Sequence, residues 1–219
     1  MMFQSEVKRM DEILFDTIRN GIITDIFGFR GVGKTQLALQ ISLNLLKNGK
    51  NVSFIDTTGE FRPERFLQII KNRNLDDTLL NQLQVARITN TTEQIELTDK
   101  IKKLDDVMLV IVDNVTDLFS FEYSKKEQFN LQQKKFMNYM HNLSQLAIQK
   151  EIPIVITNQL MTANNTEYEK MSSSISNYTH QKIKLEKQKN HYKGIIMSAF
   201  SKKTEFFYKI EKMGLIQRS

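Results

Sequence analysis

Cysteine is absent from the 219-residue chain, which excludes disulfides and thiolate metal sites alike. That fits a reducing interior. No apolar run approaches the roughly 18 residues of a membrane span, and the first residues lack the apolar centre of a secretion signal. The expectation is a cytoplasmic protein with no membrane association. The three histidines, at 141, 180 and 191, have no paired spacing for a metal. Glycine is scarce, with eight residues, and three of them fall within one octapeptide. Net positive charge is modest, at +6, but unevenly placed: residues 180–219 carry ten Lys and Arg against three Glu. Such an end suits a surface that meets a polyanion. It equally suits a solvated lysine-rich face.

The length favours one α/β domain of ordinary size, spanning 1–219, large enough to bury a core without staples. Residues 21–27 form a short apolar run ending at Gly28, a buried strand feeding a glycine loop. Residues 35–47 carry an apolar helical face closed by Asn48 and Gly49. Strands are expected at 52–56, 83–88, 107–112 and 152–157, the 107–112 run being continuously apolar as in a central parallel strand. Helices are expected at 62–72, with Pro63 in the first turn, at 92–104 and at 129–149. Strands alternating with helices predict a parallel, doubly wound sheet. After residue 180 the runs 181–186, 194–198 and 205–210 alternate and read as an antiparallel extension. The polar stretch 162–174 reads as a mobile loop.

Gly28–Phe29–Arg30–Gly31–Val32–Gly33–Lys34–Thr35 satisfies G-x-x-x-x-G-K-[ST] in full. Its glycines let the backbone wrap a phosphate with N–H groups pointing inward. The helix that follows adds the partial positive charge of its N-terminus. Lys34 is placed to bridge the β- and γ-phosphates of ATP, and the Thr35 hydroxyl to ligate Mg²⁺. Asp113, at the tip of the 107–112 strand, is the second candidate for holding Mg²⁺, through water. A helix cap or turn residue is the other reading of that aspartate.

Four further segments keep the same order: Ile23–Thr24–Asp25–Ile26–Phe27–Gly28 before the loop, Gly33–Lys34–Thr35–Gln36–Leu37 within it, the stretch from Phe54 through Asp56, Thr58, Glu60 and Pro63 to Arg65, and Ile156–Thr157–Asn158–Gln159. Together with Val112–Asp113–Asn114 they resemble the RecA/RadA recombinase core, from about Met10 onward. The fold implied is a RecA-like ATPase core, a parallel central sheet flanked by helices with a basic antiparallel C-terminal extension (180–219) and a short lead (1–9). The resemblance implies nucleotide contacts from the whole loop, Gly28 to Gln36, and from Arg65, whose flat guanidinium stacks on adenine. An ion pair between Arg65 and Glu64 or a neighbour is the alternative. Gln159 matches the glutamine that senses the γ-phosphate, a strand-end amide being its plainer reading.

Departures from the family pattern are informative. Thr58 stands where the family has the glutamate that activates water, and threonine is no general base at neutral pH. Glu60 lies two residues on, roughly 6–7 Å along an extended chain. With Lys34, Glu60 and Gln159 as the catalytic set, the expectation is good ATP binding and slow hydrolysis. The family's self-assembly clip needs a small residue that Phe3–Gln4–Ser5–Glu6 lacks, and its proline-containing cap is altered around residues 198–203, because Pro63 and Pro153 are the only prolines. These point to a short RadB-like branch that does not build long filaments.

The family binds single-stranded DNA through two loops, here 120–129 and 161–177. Lys125 and Lys126 lie among Tyr123 and Phe129 in the first, and Lys170 lies near Tyr168 in the second. Cations neutralise phosphates and aromatic rings stack on bases. Lys182 and Lys184 share one face of a strand, and Lys187 and Lys189 extend it. The resemblance implies sequence-independent, salt-dependent DNA binding and action beside a full-length RadA-type recombinase. A KaiC-like signalling ATPase with no DNA role, and a nucleotide-bound adaptor, are the competing functions.

Overall fold

Strand β1 (Ile23–Gly28) is buried along its whole length and sits near the middle of a ten-stranded sheet. The structure, a computed structural model, describes residues 11–13, 18–189, 191–199 and 202–217. The described strands are β2 (Asn51–Asp56), β3 (Leu83–Arg87), β4 (Val107–Asp113), β5 (Ile154–Ala163), β6 (Thr166–Glu169), β7 (Thr179–Gln188), β8 (His191–Ser198), β9 (Thr204–Glu211) and β10 (Gly214–Gln217). The helices are α1 (Lys34–Leu46), α2 (Pro63–Asn72), α3 (Thr91–Lys102), α4 (Asp117–Glu122), α5 (Phe129–Lys150) and α6 (Ser172–Ser176). Across the sheet the order is β3-β2-β4-β5-β1-β7-β8-β9-β10, with β6 paired to β5 beyond this path.

Six strands, from β3 to β7, run parallel, and β8 to β10 close the sheet as an antiparallel meander. Alternation along β4 shows how the sheet is covered on both sides. Leu109 and Ile111 enter one apolar cluster, Val110 and Val112 the other. The first cluster is built from α1 and α2, with Leu37, Phe66 and Ile69 against Phe54 of β2 and Tyr208 of β9. The second comes chiefly from α5, with Phe136, Tyr139, Leu143 and Leu146. Each such side chain, taken fully out of water, stabilises the fold by about 1.5–3 kcal/mol before entropy is counted.

Helix α2 starts with Pro63 at its first position, carries Glu64 in its first turn and Lys71 in its last, and buries Phe66, Ile69 and Ile70 at helical spacing. The short strand β10 is held partly by a side chain. The buried Gln40 of α1 donates to the Leu215 carbonyl and accepts from the Leu215 N–H, as a neighbouring strand would.

Two expectations are corrected. Residues 179–188 are not antiparallel to the core: β7 pairs parallel with β1 and antiparallel with β8, so the extension turns antiparallel only at β8. Residues 162–174 are not a plain loop. β5 continues to Ala163, turns at Asn164 and Asn165 with φ of 50° and 57°, and returns as β6 before α6. Left-handed backbone at both turn positions is what a type I′ two-residue hairpin turn requires. Residues 3–6 and residues 200 and 201 of the altered cap lie outside the described residues. No described helix is long and apolar enough to cross a membrane.

Candidate nucleotide site

The phosphate loop leaves β1 and enters α1 through Gly33, whose φ of 94° lets the chain reverse and aim the first N–H groups of α1 at the loop. Gly31 is also left-handed, at 80°. At Gly28 the limit is space, since a Cβ would collide with the Leu185 carbonyl of β7. Lys34 donates to the carbonyls of Gly28 (3.1 Å) and Phe29 (2.9 Å), folding back over its own loop. Burial pulls its pKa below the usual lysine value, against the pull of the Asp113, Asp117 and Glu60 carboxylates. An ammonium held this way is poised to exchange two carbonyls for a polyanion.

At the tip of β4, Asp113 is 4% exposed. Its Oδ2 accepts from Thr35 Oγ1 at 2.7 Å and its Oδ1 from the Thr157 hydroxyl. Burial raises the carboxyl above the usual range, and the two hydroxyl donors oppose that shift. The peptide joining Asp113 to Asn114 is cis. Among the described residues no group of three or more His, Asp or Glu would hold a metal unaided. One carboxylate and one hydroxyl fit Mg²⁺ completed by phosphate oxygens and water.

These groups share a cleft of about 830 Å³ whose lining includes Lys34, Thr35, Asp113, Gln159, Glu60 and Arg65. Arg30, Gly31, Gly33 and Gln36 line it too, while Val32 is buried behind and Phe29 packs on the core. Parallel pairing puts Gln159 opposite Gly28, so the strand-end amide stands at the mouth of the loop. Arg65 makes no ion pair with Glu64. Its guanidinium donates to Gln36 Oε1 (2.7 Å), to the Glu211 (2.6 Å) and Lys212 (3.0 Å) carbonyls, and to the Gln68 side chain. The position tethers the β9–β10 turn to the cleft.

Where a water-activating carboxylate is expected, the Thr58 N–H and hydroxyl both donate to Asp56 Oδ1, each at 3.1 Å. Asp56 also accepts from the N–H groups of Gly59 (2.7 Å) and Phe61 (3.2 Å). Glu60 instead faces the loop, paired with Arg30 at 2.8 Å. Both partners are largely exposed, so the pair adds little stability and is easily given up.

Several members of the site carry no local sequence signal. Asp56 organises the Thr58 turn, and Asp117 at the start of α4 adds a third carboxylate to the cleft. Tyr208 of β9 donates to the Val32 carbonyl at 2.6 Å, so the C-terminal meander braces the phosphate loop from behind. Nothing in the local pattern around residue 208 announces that contact.

The seven lysines expected on DNA separate into four groups. Lys125 and Lys126 line a second cleft of about 650 Å³ with Tyr123 and Phe129, adjoining the first at Ser120. Lys170 lies in the first cleft itself. Lys182 is paired with Glu169 (2.7 Å) and the buried Asp25 (3.3 Å), and Lys184 with Glu186 (2.6 Å) and Glu167 (3.4 Å). Lys187 and Lys189 are exposed towards the β7–β8 turn.

The same arrangement has relatives. A family model described as Rad51 matches residues 1–215. The DNA repair and recombination protein RadA of Aeropyrum pernix is 34% identical over 172 residues, covering 74% of this chain and 54% of the relative. The chain thus spans about half the length of that curated relative. The phosphate loop between β1 and α1, the acidic tip of β4, the strand order and these two matches agree: the chain belongs to the Rad51 family, built on the RecA/RadA core.

Proposed function

We propose that this chain is an ATP-binding protein of DNA repair and recombination that hydrolyses ATP slowly and binds single-stranded DNA without sequence preference. It acts beside a full-length RadA-type recombinase, as a RadB-like accessory. One observation carries the reading: Lys34, the Thr35–Asp113 pair and Gln159 converge on one cleft behind a complete phosphate loop. In this reading the loop from Gly28 to Gln36 holds the phosphates, Thr35 and Asp113 hold Mg²⁺, and Arg65 borders the base. The metal supplies charge neutralisation between phosphates when bound. Family membership supports the ATPase and repair assignments, and the RadA relative's printed name supports the recombination setting.

Slow turnover is supported by the Thr58 turn, whose hydroxyl is already committed to Asp56. Glu60, two residues on and lining the same cleft, is the carboxylate that would take its place, and it is paired with Arg30. Phosphate release should therefore be slow and fall further in Glu60→Ala. Turnover like that of an active recombinase, unaffected by Glu60→Ala, would overturn this assignment.

A second reading has a specific observation behind it. Lys182 and Lys184 are already neutralised by carboxylates, and β3 leaves a sheet edge with Val85 42% exposed. Both favour a nucleotide-bound adaptor that recruits a protein through an added strand. Gel shifts with a single-stranded oligonucleotide at low and moderate salt separate the two readings. Salt-sensitive binding supports the first, and its absence supports the second.

A further inference from the structure

Lys170 follows β6 in sequence, yet its side chain lines the nucleotide cleft together with Lys34 and Thr35. Its base is firmly fixed. The Lys170 N–H donates to the Gln159 carbonyl at 3.3 Å, and its own carbonyl accepts from Asn158 Nδ2 at 2.9 Å. The preceding residue, Glu169, accepts from Asn158 at 3.1 Å and pairs with Lys182 at 2.7 Å. From that anchor the ammonium reaches Asp117 Oδ1, 3.2 Å away at the start of α4. Asp117 lines the same cleft as Lys34, and its charge bears on that ammonium.

We propose that Lys170 is a nucleotide contact that reads the terminal phosphate, rather than a DNA contact. The inference rests on the nucleotide assignment above and adds a residue to it. First, the pair with Asp117 is partly solvated, at 23% and 36% side-chain exposure, so a competing polyanion displaces it at small cost. Second, a triphosphate brings negative charge into a cleft where Asp117 already stands, and Lys170 is the cation paired with that carboxylate. A diphosphate lacks the oxygens that make this exchange worthwhile. Because the Lys170 backbone is bonded to Asn158 and Gln159, the exchange bears directly on the tip of β5 and the hairpin it forms with β6.

The test is equilibrium binding of fluorescent ADP and of a fluorescent non-hydrolysable ATP analogue, both with Mg²⁺, to the full chain. Lys170→Gln should weaken the triphosphate about tenfold, the scale of one charge-assisted hydrogen bond, and change the diphosphate less than about twofold. Lys170→Arg should recover most of the loss. Asp117→Asn removes the internal rival and the repulsion, and should raise the preference for triphosphate about threefold or more. That variant carries the test alone if Lys170→Gln does not fold. Equal effects on both nucleotides, or none, overturn the proposal. So does a Lys170→Gln loss confined to oligonucleotide binding. A wild-type chain that binds neither nucleotide fails differently, and overturns the nucleotide assignment itself.

Discussion

Asp25 places a carboxyl in the middle of β1 with no exposure to water. Burial first, and then the Glu169 charge, raise it well above the usual carboxylate range, while Lys182 opposes the shift. In the unfolded chain the group ionises near its ordinary value of about 4. Between that pH and its higher folded value the native chain binds the extra proton, so stability falls as pH rises. Asp25→Asn removes that loss and leaves Lys182 its partner Glu169. The melting temperature of the variant relative to wild type should therefore be more favourable at pH 8 than at pH 5. A difference that is flat, or reversed, contradicts the account of this residue. Tyr208 makes a second residue-scale claim. Phenylalanine there would leave the Val32 carbonyl without its donor, a loss of about 1–2 kcal/mol in urea unfolding. Because Val32 belongs to the phosphate loop, ATP affinity should fall with it. Unchanged affinity would mean the loop holds its shape without the brace.

Elements show where the sequence was legible and where it was not. The phosphate loop, its flanking strand and helix, and the acid at the tip of β4 could be read because local backbone demands dictate local residues. Gly31 and Gly33 occupy left-handed positions that few other residues adopt. The direction of β7 could not be read, since Ile183 and Leu185 alternate with Lys182 and Lys184 whether the neighbour runs parallel or antiparallel. The β5–β6 hairpin hid behind polar composition, although Asn164 and Asn165 are the residues its turn needs. Charge counts omit pairings of this kind. Lys182 meets acids at positions 25 and 169, which only the fold brings together. Replacing Lys125 and Lys126 by alanine should therefore weaken oligonucleotide binding and flatten its salt dependence, by roughly one unit of slope for each phosphate no longer neutralised. Lys184→Ala should change little, because Glu186 and Glu167 already occupy that charge. The opposite ranking would place the interface on β7.

At the scale of the whole molecule, β5 joins the cleft to the β5–β6 hairpin. β5 reaches Gln159 beside the phosphate loop and continues into the hairpin that carries Glu169. Asn158 links that hairpin to Thr116, which is hydrogen-bonded to Asn114 next to Asp113. A nucleotide in the cleft would therefore bear on the β5–β6 hairpin, through contiguous hydrogen bonds. The direct measurement is the affinity of the full chain for a labelled single-stranded oligonucleotide with and without Mg-ATP, at two salt concentrations. Salt-sensitive binding that Mg-ATP changes severalfold is the expected result. Tight ATP binding with no oligonucleotide binding at either salt would contradict it, and would leave the nucleotide-bound adaptor.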